Sequence, residues 1–298
     1  MTTGSIVVLS NPAADKDAHH TLAVASARLR EHGLRIAHIA ADSVEESIAL
    51  ARHAVEDGVD GIVAVGGDGI AWQAWQATAT TGTPVGIVPA GTGNDLARVL
   101  GIPHDPAEAA EVIAAGRRRT IDLGRVSSDH GPDQWFGTVL AGGFDALVTD
   151  RANRMKWPRG RLRYNAATVV ELVNLRLLPY RITFDDEPPI ELDATLVAVG
   201  NASTYGGGMR IAPGALLDDG LLDVVVATSA NRSRLLRLFP TVYRGTHVDL
   251  PEVMVRRARR VRLECPGITV YADGEPLRPL PVDVEAVPGA GTVLVRDR

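Results

Sequence analysis

Residues 61–69 read GIVAVGGDG and residues 85–95 read VGIVPAGTGND, so two apolar runs in close succession each end in glycines. Short β-branched runs of this kind predict buried strands. Glycine lets backbone N–H groups approach an anion with no Cβ in the way, and a helix that begins after each turn would add its positive dipole end. The pair therefore predicts a phosphate site at the ends of two neighbouring strands.

The chain around these turns alternates strands with amphipathic helices. We predict strands at 5–9, 34–39, 61–65 and 85–88, and helices at 18–32, 44–57 and 70–80. This order is typical of an α/β domain with a mostly parallel sheet. Asn11, Gly66 and Gly91 each follow a predicted strand, and ligands of such sheets bind beyond the carboxyl ends of the strands.

The pattern changes near residue 126, which divides the chain into predicted domains at 1–125 and 126–282. A long helix is predicted at 161–177, and then strand-like runs are separated by Pro, Gly and Asp. These runs predict a β-rich domain with an antiparallel, sandwich-like arrangement. They lie at 180–184, 194–200, 222–227, 253–255, 261–264, 268–271, 282–286 and 292–295.

Composition excludes several classes of protein. The chain has 298 residues, 45% of them hydrophobic, and a single cysteine, Cys265, so it has no intrachain disulfide framework and we expect a reducing, cytoplasmic setting. The formal net charge of −5 disfavours a general nucleic-acid role. No apolar stretch approaches the length of a transmembrane helix, and the first nine residues lack the features of a signal peptide, so we expect a soluble protein. The sequence contains no Walker-type phosphate loop.

The two glycine turns resemble the G-G-D-G and P-x-G-T-x-N-D motifs of the lipid kinase family of diacylglycerol and sphingosine kinases. The C-terminal part carries two further motifs of that family, DDGLLD at 218–223 and DGE at 273–275. The resemblance extends from about residue 5 to about residue 295 and is closest to the soluble bacterial diacylglycerol kinases. It implies that residues 283–298 return to the first domain and that the active site lies in the interdomain cleft.

The resemblance also implies an ATP- and Mg²⁺-dependent kinase and a role for each motif. Glu275 is expected to take the proton from the lipid hydroxyl, with support from Asp273, and Asp68 joins them in the catalytic set. The Asp219 carboxylate and the carbonyls of Leu216 and Leu221 are expected to hold Mg²⁺, which prefers oxygen ligands. The expected nucleotide-binding residues are Asn11, Ala41, Gly66, Gly67, Asp68, Gly69, Ile70, Ala71, Trp72, Thr92, Asn94 and Asp95.

Each motif also has a purely structural interpretation. Asp68 can cap the helix that follows its turn, and the polar residues from Thr92 to Asp95 can cap the helix that begins near Asp95. Asp-Asp-Gly is a common turn, and Asp273-Gly274 is an ordinary hairpin turn. The carboxylates of Asp273 and Glu275, taken alone, can simply be solvated.

The sequence departs from the family at the nucleotide positions. The first turn usually reads N-P-x-S-G, but here Ala14 and Asp15 stand in its last two places. Ile70 and Ala41 stand where the family has threonines. These departures predict weakened nucleotide affinity more than an altered fold.

The expected partners are diacylglycerol or a related lipid and an anionic membrane surface at which a cytoplasmic protein acts transiently. The segment 151–164 mixes cations with apolar and aromatic residues, which suits such a surface, although a solvated loop and helix start would look similar. Tyr205, in the glycine loop 203–211, is a candidate substrate contact. The sequence leaves open whether the chain forms a homodimer. The cations of the segment are Arg151, Arg154, Lys156, Arg159, Arg161 and Arg163.

Three alternatives to a diacylglycerol kinase remain at the level of the sequence. Sphingosine or another long-chain alcohol can be the substrate, since the same motifs serve both. A NAD kinase shares the G-G-D-G turn but lacks the other three motifs. A non-catalytic lipid-binding protein can retain the fold after its nucleotide turn has decayed.

Overall fold

The computed structural model describes residues 4–11, 16–39, 41–129, 131–155, 157, 166–167, 170–171, 176–228, 234 and 240–296. Outside them lie the first nucleotide turn at 12–15, most of the predicted helix at 161–177, and Lys156, Arg159, Arg161 and Arg163. The chain forms two compact units, Met1–Leu123 with Pro288–Arg298, and Gly124–Val287. In the described part, no helix is long and apolar enough to cross a bilayer.

The first unit is an α/β domain whose strands and helices alternate along the chain. Its sheet has the order β2-β1-β3-β4 with all neighbours parallel, and the end of the last strand of the chain, β16, adds to β4. The strands are β1 Ser5–Ser10, β2 Arg35–His38, β3 Gly61–Gly66, β4 Val85–Pro89 and the start of β5 Arg118–Ser127, with β16 at Val282–Leu294. The helices are α1 Lys16–Glu31, α2 Val44–Glu56, α3 Asp68–Thr78, α4 Asp95–Leu100 and α5 Pro106–Ala115.

The local sequence explains these elements. Strands β3 and β4 are almost entirely buried, which is why their apolar runs do not alternate with polar residues. Helix α2 begins after Ser43, whose hydroxyl accepts from the Glu46 N–H at 3.1 Å. Helix α5 begins after Asp105 with Pro106 in its first turn and ends at Gly116 in the left-handed conformation.

The second unit is built from two antiparallel sheets, with orders β12-β11-β10-β7-β14-β15 and β16-β13-β8-β9. A single apolar cluster draws on both sheets and includes Phe136, Tyr180 and Phe184. Helix α6, Phe144–Arg154, and a 3-10 helix, Thr246–Asp249, also belong to this unit. The strands are β6 Gln134–Phe136, β7 Val139–Gly143, β8 Leu178–Phe184, β9 Ile190–Ala194, β10 Leu196–Gly200, β11 Leu222–Ala227, β12 Val253–Ala258, β13 Arg260–Glu264, β14 Thr269–Ala272 and β15 Glu275–Pro279.

The predicted fold class is confirmed, and the structure corrects two details of the strand prediction. The prediction lacked strands β5, β6, β7, β9 and β15. Strand β9 lies at the end of its sheet, and its alternating charges hide it from a search for apolar runs. The two runs predicted at 282–286 and 292–295 are one strand, β16. It continues past Pro288 because Gly289 adopts a φ of +69° and donates its N–H to Asp122 Oδ1 at 2.8 Å.

Candidate active site

The two glycine turns of the first unit pack directly against each other. The Ala90 N–H donates to the Gly66 carbonyl at 2.9 Å. A Cβ added to Gly91 would lie 2.4 Å from the Gly67 Cα, and one added to Gly67 would lie 3.2 Å from the Gly91 Cα. The glycines are therefore required for the turns to touch, in addition to any contact with an anion.

Asp68 links the two turns. It lies in the first turn of α3, yet its Oδ1 accepts from the Leu96 N–H of α4 at 3.1 Å. Helix α3 itself begins after Gly67 without a side-chain cap, so the structure does not support the alternative in which Asp68 caps the helix that follows its turn. Burial raises the pKa of Asp68, and the nearby negative charge of Asp95 raises it further.

Asn94 closes the second turn with its side-chain amide. Its Oδ1 accepts from the Gly91 N–H at 3.0 Å, and its Nδ2 donates to the Gly91 carbonyl at 2.8 Å. Its backbone is left-handed, with a φ of +54°, a conformation that asparagine tolerates better than most residues. Although Asn94 directly precedes α4, it makes no side-chain capping bond. The Asp68 carboxylate, from the other turn, accepts a hydrogen bond from the first turn of α4 instead.

Three predicted nucleotide contacts, Ile70, Ala71 and Trp72, have buried side chains in α3. The N–H groups of Ile70 and Ala71 donate to the Gly67 carbonyl at 3.1 and 3.3 Å. Ile70 also lies over Gly66, where an added Cβ would be 2.5 Å from the Ile70 Cγ1. The structure thus gives these residues packing roles in the first unit.

The groups left available on the turns are few. Thr92 is exposed, and within the described residues neither its hydroxyl nor the N–H groups of Gly69, Thr92 and Gly93 bond to protein. Asn11 and Ala41 follow β1 and β2 at the same carboxyl edge of the parallel sheet as the two turns. Asp95 is buried and pairs with Arg98 at 2.9 Å.

In the second unit, Asp273 anchors the hairpin that joins β14 to β15. Its Oδ2 accepts from the Gly137 N–H at 2.8 Å and its Oδ1 from the Thr138 N–H at 2.9 Å, and the Thr138 hydroxyl donates to Oδ1 as well. Asp273 and Gly274 both have positive φ, at +52° and +87°. With both oxygens occupied in this way, Asp273 is suited to positioning rather than to proton transfer.

Glu275, the first residue of β15, has a different environment. Its side chain is half-buried, and burial raises the pKa of its carboxyl. Among the described residues, no group donates a hydrogen bond to this carboxylate. A desolvated carboxylate without a fixed partner is suited to act as a general base.

The Asp219 turn is held by a cation that the sequence analysis did not identify. Asp219 Oδ1 accepts from the Leu221 N–H at 3.1 Å, while its Oδ2 pairs with the guanidinium of Arg257 on β12. The same guanidinium lies 3.3 Å from Asp223 Oδ2. Burial raises the pKa of Asp223, and the charge of Arg257 opposes that rise.

The oxygen atoms of this turn are compatible in type with Mg²⁺. Asp219 supplies one carboxylate and Leu216 and Leu221 supply carbonyls, an oxygen-only set that suits a partly hydrated cation. In the described part of the chain, no group of three or more Asp, Glu, His or Cys side chains could hold a metal ion. A cation at Asp219 would therefore depend on water and backbone for most of its ligands.

Tyr205 packs against the protein instead of standing free in its loop. It is half-buried against a small apolar cluster that includes Val139 and Ile211. Its backbone exchanges two hydrogen bonds of 3.0 Å with Met209 across three glycines. Its role as a substrate contact stays a prediction.

Two family models match the chain. The model described as the diacylglycerol kinase catalytic domain matches residues 5–126. The model described as the YegS C-terminal NAD kinase beta sandwich-like domain matches residues 137–295. The first match contains both glycine turns, and the second contains the Asp219, Asp273 and Glu275 positions.

Similar proteins agree with these matches. A diacylglycerol kinase of Mycobacterium tuberculosis (strain ATCC 25618 / H37Rv) is 48% identical over 297 residues, covering 98% of this chain and 95% of the relative. A protein of Stenotrophomonas maltophilia (strain K279a) named "Probable lipid kinase YegS-like" is 34% identical over 246 residues, covering 79% of each. The crystal structure of a diacylglycerol kinase from Bacillus anthracis str. Sterne superimposes with a TM-score of 0.73 at 23% identity, covering 98% of this chain and 97% of that one, and supports the fold.

Proposed function

Because the chain belongs to the lipid kinase family of diacylglycerol kinases and YegS-like proteins, we propose that it transfers the γ-phosphoryl group of ATP to diacylglycerol. The lipid hydroxyl oxygen forms the new bond to phosphorus, the bond to the β-phosphate oxygen breaks, and ADP leaves. The products are ADP and phosphatidic acid. The observation that carries this proposal is the contrast between two carboxylates. Among the described residues Glu275 accepts no hydrogen bond, whereas Asp273 accepts from Gly137 and Thr138.

Glu275 is the proposed general base. Its carboxylate accepts the proton of the attacking hydroxyl, and its raised pKa gives it more basicity than an exposed glutamate has. Asp273 is the proposed positioning residue, because its bonds to Gly137 and Thr138 fix the hairpin from which Glu275 extends. Phosphoryl transfer depends on the position of the base, because the protein mainly orients the reacting groups and forms no covalent bond with them.

The first unit is proposed to bind ATP through the available groups of its two turns. Backbone N–H groups of Gly69, Thr92 and Gly93 and the Thr92 hydroxyl are suited to phosphate oxygens. Asp68 and Asn94 are proposed to shape this site through the contacts described above. Because Ile70 is packed against Gly66 and cannot offer a hydroxyl, we expect a modest affinity for ATP.

Mg²⁺ is proposed to be held by Asp219 and the carbonyls of Leu216 and Leu221. When bound, it supplies positive charge that offsets the phosphate charge. The chain's own contribution is the turn that presents Asp219, whose Oδ1 is oriented by the Leu221 N–H at 3.1 Å.

We propose that the lipid is met at an anionic membrane surface. Trp157 is 81% exposed, and the Arg154 side chain is 79% exposed even though it pairs with Asp150. An exposed indole beside a cation suits the boundary between lipid headgroups and acyl chains. The remaining cations of the segment lie outside the described residues.

The test is transfer of labelled phosphate from ATP to diacylglycerol, sphingosine, ceramide and NAD, with and without Mg²⁺ and with anionic vesicles present. We expect Mg²⁺-dependent labelling of diacylglycerol. Glu275→Gln should reduce the rate by about a hundredfold or more. Glu191→Gln, an exposed glutamate on β9, is the matched control and should leave it unchanged.

Other results would redirect the proposal. Labelling of sphingosine would identify a long-chain alcohol as the substrate. Absence of any labelling by the folded protein would favour a non-catalytic lipid-binding function. Undiminished transfer by the Glu275→Gln variant would show that another group is the base.

A further inference from the structure

Arg257 occupies the carboxylate that is proposed to bind Mg²⁺. It lies on β12 directly opposite Asp223 of β11, so its pairing with Asp223 follows from the strand register. Its contact with Asp219 is additional, because Asp219 belongs to the turn before β11 and is reached only by the end of the guanidinium. One arginine therefore bridges a strand carboxylate and a turn carboxylate.

The bridge gives each oxygen atom of Asp219 a partner. Its Oδ1 accepts from the Leu221 N–H, and its Oδ2 pairs with Arg257. A guanidinium and a divalent cation on the same carboxylate would repel each other at short range. Arg257 and Mg²⁺ therefore compete for Asp219.

We propose that the Arg257 guanidinium pairs with Asp219 until Mg²⁺ binds there. Mg²⁺ then displaces the guanidinium from Asp219, and Arg257 stays paired with Asp223 alone. The inference rests on the proposed function in placing Mg²⁺ at Asp219. This competition sets the affinity of the turn for Mg²⁺, which is lower than it would be without Arg257.

Asp223 makes such a displacement feasible. The Arg257 Nε already lies 3.3 Å from Asp223 Oδ2, so the guanidinium keeps one carboxylate partner when it leaves the other. Asp223 is buried, and a buried carboxylate benefits from a retained positive neighbour. The Arg257 side chain is 44% exposed, which leaves it room to move toward solvent.

The neighbouring residue offers a close control. Arg256 lies on the same strand, is 35% exposed and also forms an ion pair, with Glu187 at 2.8 Å. Its guanidinium stacks 4.6 Å from the centre of the Phe184 ring, away from Asp219. Replacing Arg256 removes the same charge from the same strand without freeing the Asp219 carboxylate.

The experiment titrates MgCl₂ into the 298-residue protein at constant ionic strength, without nucleotide, and follows binding by calorimetry and by the melting temperature. We expect Arg257→Gln to lower the half-saturating Mg²⁺ concentration by about tenfold. Arg256→Gln should leave it unchanged, and Asp219→Asn should abolish binding. The double variant Asp223→Asn with Arg257→Gln avoids a buried unpaired charge and should bind as tightly as Arg257→Gln.

An unchanged or weaker affinity in both Arg257 variants would overturn the inference, and so would binding that persists in Asp219→Asn. The proposed kinase activity is tested separately. Lipid phosphorylation together with unaltered Mg²⁺ affinity in the Arg257 variants would reject the competition and retain the kinase. Tighter Mg²⁺ binding by Arg257 variants of a protein that phosphorylates no lipid would retain the competition and reject the kinase.

Discussion

The turns of the first unit and those of the second are held together by different forces. Gly67 and Gly91 meet backbone to backbone, at a distance that a single Cβ would prevent. Asp273 and Asp219 instead hold their turns with carboxylate oxygens that accept from N–H groups and a guanidinium. The first region should therefore be sensitive to side-chain volume, and the second to charge.

This difference fits the tasks proposed for the two regions. A phosphate group is best cradled by backbone donors, which need glycine to come close. A base and a metal ligand need carboxylates, and the buried Asp273 carboxylate needs the donors that surround it. The following predictions test this contrast, beginning with the largest expected effect.

Gly91→Ala should have the largest effect. Its new Cβ would lie 2.4 Å from the Gly67 Cα, so the two turns must separate. We expect a loss of about 3 kcal/mol in the free energy of unfolding and about a hundredfold in phosphoryl transfer. Urea denaturation and initial rates measure the two quantities.

Gly82→Ala is the control for this prediction. Gly82 has a φ of +77° and open space around it, so alanine there should cost only about 1 kcal/mol of backbone strain. An equal loss of activity in the two variants would show that contact between the turns is not what matters.

Asp273→Asn should have the next largest effect. The amide retains one acceptor but turns a donor toward the N–H groups of Gly137 and Thr138. We expect about 2 kcal/mol of destabilisation and about a tenfold lower kcat. Asp193→Asn, an exposed residue of β9, should change neither quantity. A stable but inactive Asp273→Asn protein would argue that Asp273 takes part in the chemistry itself.

Thr92→Val removes an exposed hydroxyl that no described group contacts. We expect an unchanged melting temperature and a KM for ATP raised about fivefold, which corresponds to one lost hydrogen bond of about 1 kcal/mol. Thr83→Val, at the amino end of β4, should leave the KM unchanged. A fall in melting temperature without a change in KM would assign Thr92 a structural role.

The smallest effect concerns the pH dependence of kcat. Glu275 must be deprotonated to act as a base, and burial raises its pKa, so activity should fall as pH falls through a value above that of an ordinary glutamate. Since burial is the cause, raising NaCl from about 0.05 to about 0.5 M should leave this acid limb in place. Movement of the limb with salt would mean that neighbouring charges set the pKa instead.

Several features were predictable because they depend on local sequence. The apolar runs that became β3 and β4 are too short and too β-branched for helices, and glycines mark where they end. The Asp273-Gly274 hairpin was predictable for the same reason, since the residue pair favours the positive φ values of a tight turn.

Other features were not predictable because they depend on residues far apart in the chain. The structural alternative for Asp68 was a cap on its own helix, but its carboxylate accepts from the Leu96 N–H of α4, which comes close where the two turns pack together. Arg257 lies on a strand whose register with β11 places it beside Asp223 and within reach of Asp219. No local pattern identifies either partner.

The sequence by itself determined the class of each unit, the positions of the turns and the residue types available for chemistry. Those properties follow from backbone preferences and from the spacing of apolar residues, which act over a few positions. Only the tertiary structure decided which carboxylates are anchored, which one has no partner in the described part of the chain, and which is paired with a cation. Burial and hydrogen bonding set those states, and both arise from contacts between segments that are distant in the sequence.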